Sequence, residues 1–156
     1  RLGEADPAGA ARYKANADAY VARLEELDAK YAEAVGTASS KTLLFGDRFP
    51  FRYLVDDYGL NYYAAFPGCS AETEASFKTV VFLARKLDEL HLPAVMTIDG
   101  SDGRIAETIV QNTAEKSQKV MTLNSMQSVT AHDVMDGATY LSIMESNLET
   151  LKKALN

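Results

Sequence analysis

Apolar positions in the first part of the chain recur at helical spacing. Tyr13, Ala17, Tyr20, Leu24, Leu27, Tyr31 and Val35 follow one another at intervals of four and three, with charges on the remaining faces, the pattern of an amphipathic helix. Asp6-Pro7 supplies its start: the Asp side chain accepts from exposed amides, and Pro in the first turn forfeits no needed donor. Gly36 supplies its stop. A helix of about 29 residues is ~44 Å long, more than the expected diameter of the domain it belongs to, so it is expected to span two bodies.

From Lys41 the period changes. Thr42 to Gly46, Asn61 to Phe66, Pro93 to Ile98 and Lys119 to Leu123 are short, largely apolar runs rich in Val, Leu, Ile and Tyr, as expected of strands buried on both faces. Helical patterns lie between them. Phe51 to Tyr58, with Pro50 near its first turn, makes a short one; Phe77, Val80, Ala84, Leu87 and Leu90 make the next, and Ile105, Ile109, Val110 and Thr113 another. The last runs through Val134, Leu141, Met144, Leu148, Leu151 and Leu155, opened by Thr130 with Asp133 three residues on, a capping-box variant. The fold class is therefore α/β: a long N-terminal helix, residues 1–36, then a four-stranded parallel sheet with helices on both faces, residues 41–156.

The composition fits such a domain. Of the 156 residues 47% are hydrophobic and 24% charged, an ordinary globular mix that argues against disorder. A net charge of −6, with no basic stripe, excludes a non-specific nucleic-acid binder. No apolar run approaches the ~20 residues that cross a bilayer. Cys69 is the only cysteine, so neither an intrachain disulfide nor a thiolate zinc cluster can be built. Arg1 rather than Met stands first and no signal sequence precedes it, so an N-terminus is expected to have been removed.

Parallel sheets bind ligands outside the carboxyl ends of their strands. The first strand ends Gly46-Asp47-Arg48, the third Ile98-Asp99-Gly100-Ser101, and the fourth Leu123-Asn124-Ser125-Met126-Gln127-Ser128. Carboxylates converging on one crevice repel unless a cation or proton relieves them, which points to a cation site. Asp47 has a second reading as the cap of the helix near Pro50, or as an ion-pair partner of Arg48 or Arg52. Asp102 reads as the cap of the helix that follows it. His91 falls at the opposite end of the sheet and reads as structural. His132 falls near the right edge but inside the capping sequence Thr130 to Asp133. Cys69 reads as a small buried hydrophobe. Ser125 and Ser128 lack a nucleophile elbow, and no phosphate-cradling glycine pattern is present.

In order, these segments resemble the zinc and manganese solute-binding proteins of bacterial ABC transporters. Asp6-Pro7 with Tyr13, Asn16 and Ala17 resembles the start of that family's backbone helix. Phe51-Arg52-Tyr53-Leu54 followed by Tyr58-Gly59-Leu60 resembles the aromatic helix of its second lobe. Gly137-Ala138-Thr139-Tyr140 with Met144, Asn147 and Leu151 resembles its closing helix, and Phe66 to Glu74 is similar to a Gram-positive branch.

The resemblance implies the C-terminal lobe plus connecting helix of a divalent-metal receptor, zinc more than manganese. It implies a missing N-terminal lobe, an ABC permease as partner, and an extracytoplasmic place, with the membrane reached only through a lipid anchor outside this chain. Carried over by position, the metal ligands fall on Asp47, Asp99 and Gln127, with Asn124 and His132 secondary. Asp47 stands where the family usually has His, and a one-residue shift puts Arg48 there. Gln127 stands where an Asp or His is expected, so a nitrogen-rich tetrahedral site cannot be assembled from this chain alone.

Binding rather than catalysis is thus expected. The competing readings are a structural lobe that binds no metal, and a doubly wound enzyme or receiver-like phosphoacceptor with acidic strand ends. Receivers begin with a strand and need a Lys after a fifth strand, and neither feature is in place.

Overall fold

The structure is a computed structural model and describes residues 1–66 and 75–156. The segment resembling the Gram-positive branch beyond Phe66, and Cys69 within it, lie outside the described residues.

Asp6 acts as the sequence predicts. Its carboxylate accepts from the Gly9 amide at 3.1 Å and from the Tyr13 hydroxyl at 2.7 Å. It does so, however, between a short helix α1 (Leu2–Ala5) and a single 3-10 turn (Pro7–Gly9), so the long helix α2 begins later, at Ala10, and runs to Thr37. Gly36 lies inside its last turn, and the extended backbone of Ala38 ends the helix instead.

The strands are β1 (Thr42–Arg48), β2 (Asn61–Phe66), β3 (Ala94–Ile98) and β4 (Lys119–Leu123). They pair in parallel in the order β2-β1-β3-β4. β1 is longer than its apolar core, because Arg48 still pairs with Phe66 after an irregularity between Phe45 and Arg48. A bulge of this kind re-aims the side chains beside it, and Asp47 is one of them.

Alternation along β1 feeds two cores. Leu43 and Phe45 face α2 and α7 (Tyr140–Ala154), packing with Leu27, Tyr31, Val35, Leu148 and Leu151. Leu44 faces the other way, toward α4 (Phe77–Leu90) and α5 (Arg104–Gln111), packing with Leu83, Leu87, Ala106 and Ile109. Gly46 follows Leu44 on that face for a steric reason. A Cβ there would lie 2.5 Å from the Ala106 Cα and 2.9 Å from its amide nitrogen, so only Gly lets α5 approach the end of β1.

α3 (Arg52–Asp57) is short. The single closing helix expected from the apolar pattern is two: α6 (Ala131–Met135) and α7, because Gly137 turns the chain at φ +95° and Thr139 caps a new start.

α2 and β1 run in opposite directions, joined by a short connection that is tied to the end of α7 by Ser40 N–H donating to the Leu155 carbonyl at 3.0 Å. α2 is ~42 Å long by its rise and β1 ~23 Å by its own. Only Leu27, Tyr31, Ala34 and Val35 of α2 are buried. Its first half therefore overhangs the carboxyl edge of the sheet.

Candidate metal centre

In this strand order the chain leaves β1 on one side to form β2 and returns on the other to form β3, so the topological switch point lies between β1 and β3. Asp47 and Asp99 stand at the carboxyl ends of those two strands. Both line one crevice of about 260 Å³, together with Arg48, Asp102 and Phe66. A larger cavity of about 700 Å³ opens at the opposite edge of the sheet, beside His91 and Lys119. His91 itself closes α4 in a left-handed conformation, as a structural residue does.

Asp47 is half-buried. Its Oδ1 accepts from the Arg48 amide at 2.7 Å and its Oδ2 from the Ile98 amide at 3.4 Å. It therefore ties the end of β1 to β3 and does not cap α3, whose start at Phe51 has no side-chain cap. Arg52 is engaged elsewhere, with its Nε 2.7 Å from Asp56 Oδ2. Asp102 accepts from the Arg104 amide at 3.1 Å, but it is not the cap expected of it: the N-cap of α5 is Gly103, in a left-handed conformation and with no side-chain cap.

Asp99 has a denser set of partners. Oδ1 accepts from the amide of Ser125 and, at 2.6 Å, from its hydroxyl; Oδ2 accepts from the Ser128 amide at 3.0 Å and from its hydroxyl. Burial pushes the Asp99 carboxyl up, but the Ser125 and Ser128 hydroxyls and amides outweigh it and hold the pKa near 2. Its charge is met by oriented dipoles rather than by a cation. With two donors on each oxygen, the lone pairs that would face a metal are in use.

The loop after β4 is held from both sides. The buried Asn147 side chain of α7 accepts from the Asn124 amide at 2.8 Å and donates to its carbonyl at 2.8 Å. Asn124 Oδ1 accepts from the Met126 amide at 2.7 Å, and Met126 adopts φ +63°. Gln127 follows, exposed, its amide donating to Ser125 Oγ at 3.4 Å. His132 lies on α6, 78% exposed, with Nδ1 2.9 Å from Asp136 Oδ2.

Two of the five residues singled out from sequence, Asp47 and Asp99, thus share a crevice. Asn124 and Gln127 sit on the loop tied to Asp99, and His132 is bonded within its own helix. Among the described residues no three His, Cys, Asp or Glu side chains gather as a metal cage would require.

Over residues 1–154 the sequence matches the family described as zinc-uptake complex component A, periplasmic. The chain belongs to this family. It is 28% identical over 151 residues to the zinc-binding protein AdcA of Streptococcus pyogenes, covering 97% of this chain and 28% of that protein. It is 25% identical over 150 residues to the high-affinity zinc uptake system protein ZnuA of Bacillus subtilis, covering 96% of this chain and 46% of the relative.

Among solved structures, the Zn(II)-bound ZnuA-like domain of Streptococcus pneumoniae AdcA aligns with TM-score 0.75 at 29% identity, over 99% of this chain and 56% of that one. The metal-dependent lipoprotein YcdH of Bacillus subtilis aligns with TM-score 0.80 at 25% identity, over 99% and 57%. The chain spans about half of the structures it matches, and less of the first curated relatives.

The role of Ser125, Ser128 and Asn147 is visible only in the structure. The two serines, three residues apart, are donors that face one acceptor, Asp99. Asn147 interrupts the apolar stripe of α7, and a polar residue at such a place needs buried partners.

Proposed function

We propose that this chain is the C-terminal lobe, with its connecting helix, of a solute-binding protein that captures zinc and delivers it to an ABC permease outside the cytoplasmic membrane. The observation that carries the reading is the placement of Asp47, with Asp99 beside it, in one crevice at the switch point of the sheet. Zinc is favoured over manganese because relatives are named for zinc. Residues 1–36 form the spine and 41–156 the lobe, and a second lobe packed on the overhang would cover the crevice. The family is named for uptake, and the lobe does no chemistry on its cargo. Among the described residues no helix is long and apolar enough to cross a membrane; the proposed attachment is a lipid anchor outside this chain, a reading supported by a relative named as a lipoprotein.

The donors here fit zinc only as part of a shared site. Asp47 offers a carboxylate and Gln127 an amide oxygen, with Asn124 and His132 as secondary donors, whereas zinc favours nitrogen and sulfur in a tetrahedron. Nitrogen ligands would come from the other lobe. Asp99 joins the metal only by giving up a serine donor.

That saturation of Asp99 also supports a second reading, a structural lobe that binds no metal by itself. Titrating the full-length protein and this chain with zinc and with manganese separates the two. A ligand at a hundred times its Kd stabilises the native state by ~2.7 kcal/mol, so zinc is expected to raise the melting midpoint of the full-length protein, and Asp47→Ala to reduce that rise. No shift well above micromolar zinc, with Asp47→Ala behaving as the parent, refutes the zinc reading.

A further inference from the structure

Gln127 stands between the two serines that Asp99 holds. The same loop is pinned from the α7 side, where Asn147 bonds both the amide and the carbonyl of Asn124 at 2.8 Å. Met126 between them is kept at φ +63°, a conformation that persists only where the surroundings over-determine it. These anchors fix where Gln127 leaves the loop at the carboxyl edge.

A cation can reach Asp99 only by displacing a donor. The serine hydroxyls can rotate away, but the Ser125 and Ser128 amides cannot, and an orphaned amide is costly. We infer that Asp99 is a positioning residue, not a ligand: it latches the loop 124–128 and so sets where Gln127 stands on the carboxyl edge of the sheet. The inference rests on the zinc reading above for its purpose and on the hydrogen bonds alone for the latch.

Partners that orient a metal ligand typically change affinity ~10- to 100-fold when removed. In the full-length protein, Asp99→Asn is expected to weaken zinc by that factor, and Ser125→Ala with Ser128→Ala to weaken it comparably. Combining the two sets is expected to add little, since both break one latch. Amide exchange at Ser125 and Ser128 should quicken about tenfold or more in Asp99→Asn, while amides of β1 and β3 keep their protection.

If Asp99→Asn weakens zinc but the serine pair leaves affinity unchanged or raises it, Asp99 is a direct ligand and the inference is overturned. Unchanged exchange at Ser125 and Ser128 in Asp99→Asn overturns it as well. A parent protein that takes up no zinc refutes the metal reading instead, and amide exchange then decides the latch alone.

Discussion

The lower half of α2 packs Leu27, Tyr31 and Val35 into the core, whereas in the upper half Tyr20 and Val21 remain 42% and 49% exposed. Both halves carry the same stripe, at the same spacing and on the same helix. Periodicity marks the face a helix offers to a neighbour; whether a neighbour is there depends on the rest of the fold. Tyr31 meets one: its hydroxyl donates to the Met144 carbonyl at 2.7 Å, and its ring stacks on Tyr58 at 5.4 Å. Burial there also drives the Tyr31 phenol well above its ordinary range.

The largest expected effect breaks the packed half. Tyr31→Ala removes a buried ring and leaves the Met144 carbonyl without its donor, and is expected to cost ~3–5 kcal/mol in urea unfolding. A loss below about 1 kcal/mol would mean that the lower half is no more anchored than the upper.

A smaller effect is read from pH, at the carboxyl edge between the two halves. Asp99 titrates near 2 in the folded chain, against about 3.9 for an unfolded Asp. Its hydrogen bonds therefore stabilise the fold above that unfolded value, and the contribution disappears as pH falls from about 4 toward 2. The melting midpoint of the parent should fall more steeply over that window than that of Asp99→Asn. Parallel curves would show that the serine latch contributes nothing to stability.

The smallest effect belongs to the bare half. Tyr20→Ser should change the stability of this chain by no more than ~0.5 kcal/mol. In the full-length protein the same substitution sharpens the comparison: a loss well beyond that value is expected where a second lobe covers the overhang.

Asp47 and Asp99 repeat the lesson at the level of side chains. In the sequence they are equivalent acids at strand ends, and their repulsion argued for a cation. In the fold Asp47 bonds two strand amides, while Asp99 is surrounded by four donors from one loop. The difference arises across the sheet: the partners of Asp99 lie 26 and 29 residues along the chain. Local pattern carries no record of such distant partners.

The strands and main helices were legible because side-chain alternation and helical spacing are local properties of the chain. Gly137 and Thr139 were readable as a turn and a cap, yet an unbroken apolar stripe hid the division between α6 and α7. By itself the sequence determined a long amphipathic helix, four strands and acids at their carboxyl ends, but the expected burial on both faces holds for β1 and β3 and not for the edge strand β4, which is exposed along most of its length. Only the tertiary structure decided that β1 and β3 are neighbours, that the bulge near Asp47 turns it toward the crevice, and that Asp99 is satisfied by the loop after β4. Strand order and loop docking are set by which surfaces remain to be buried once the elements have formed, and that depends on all of them together.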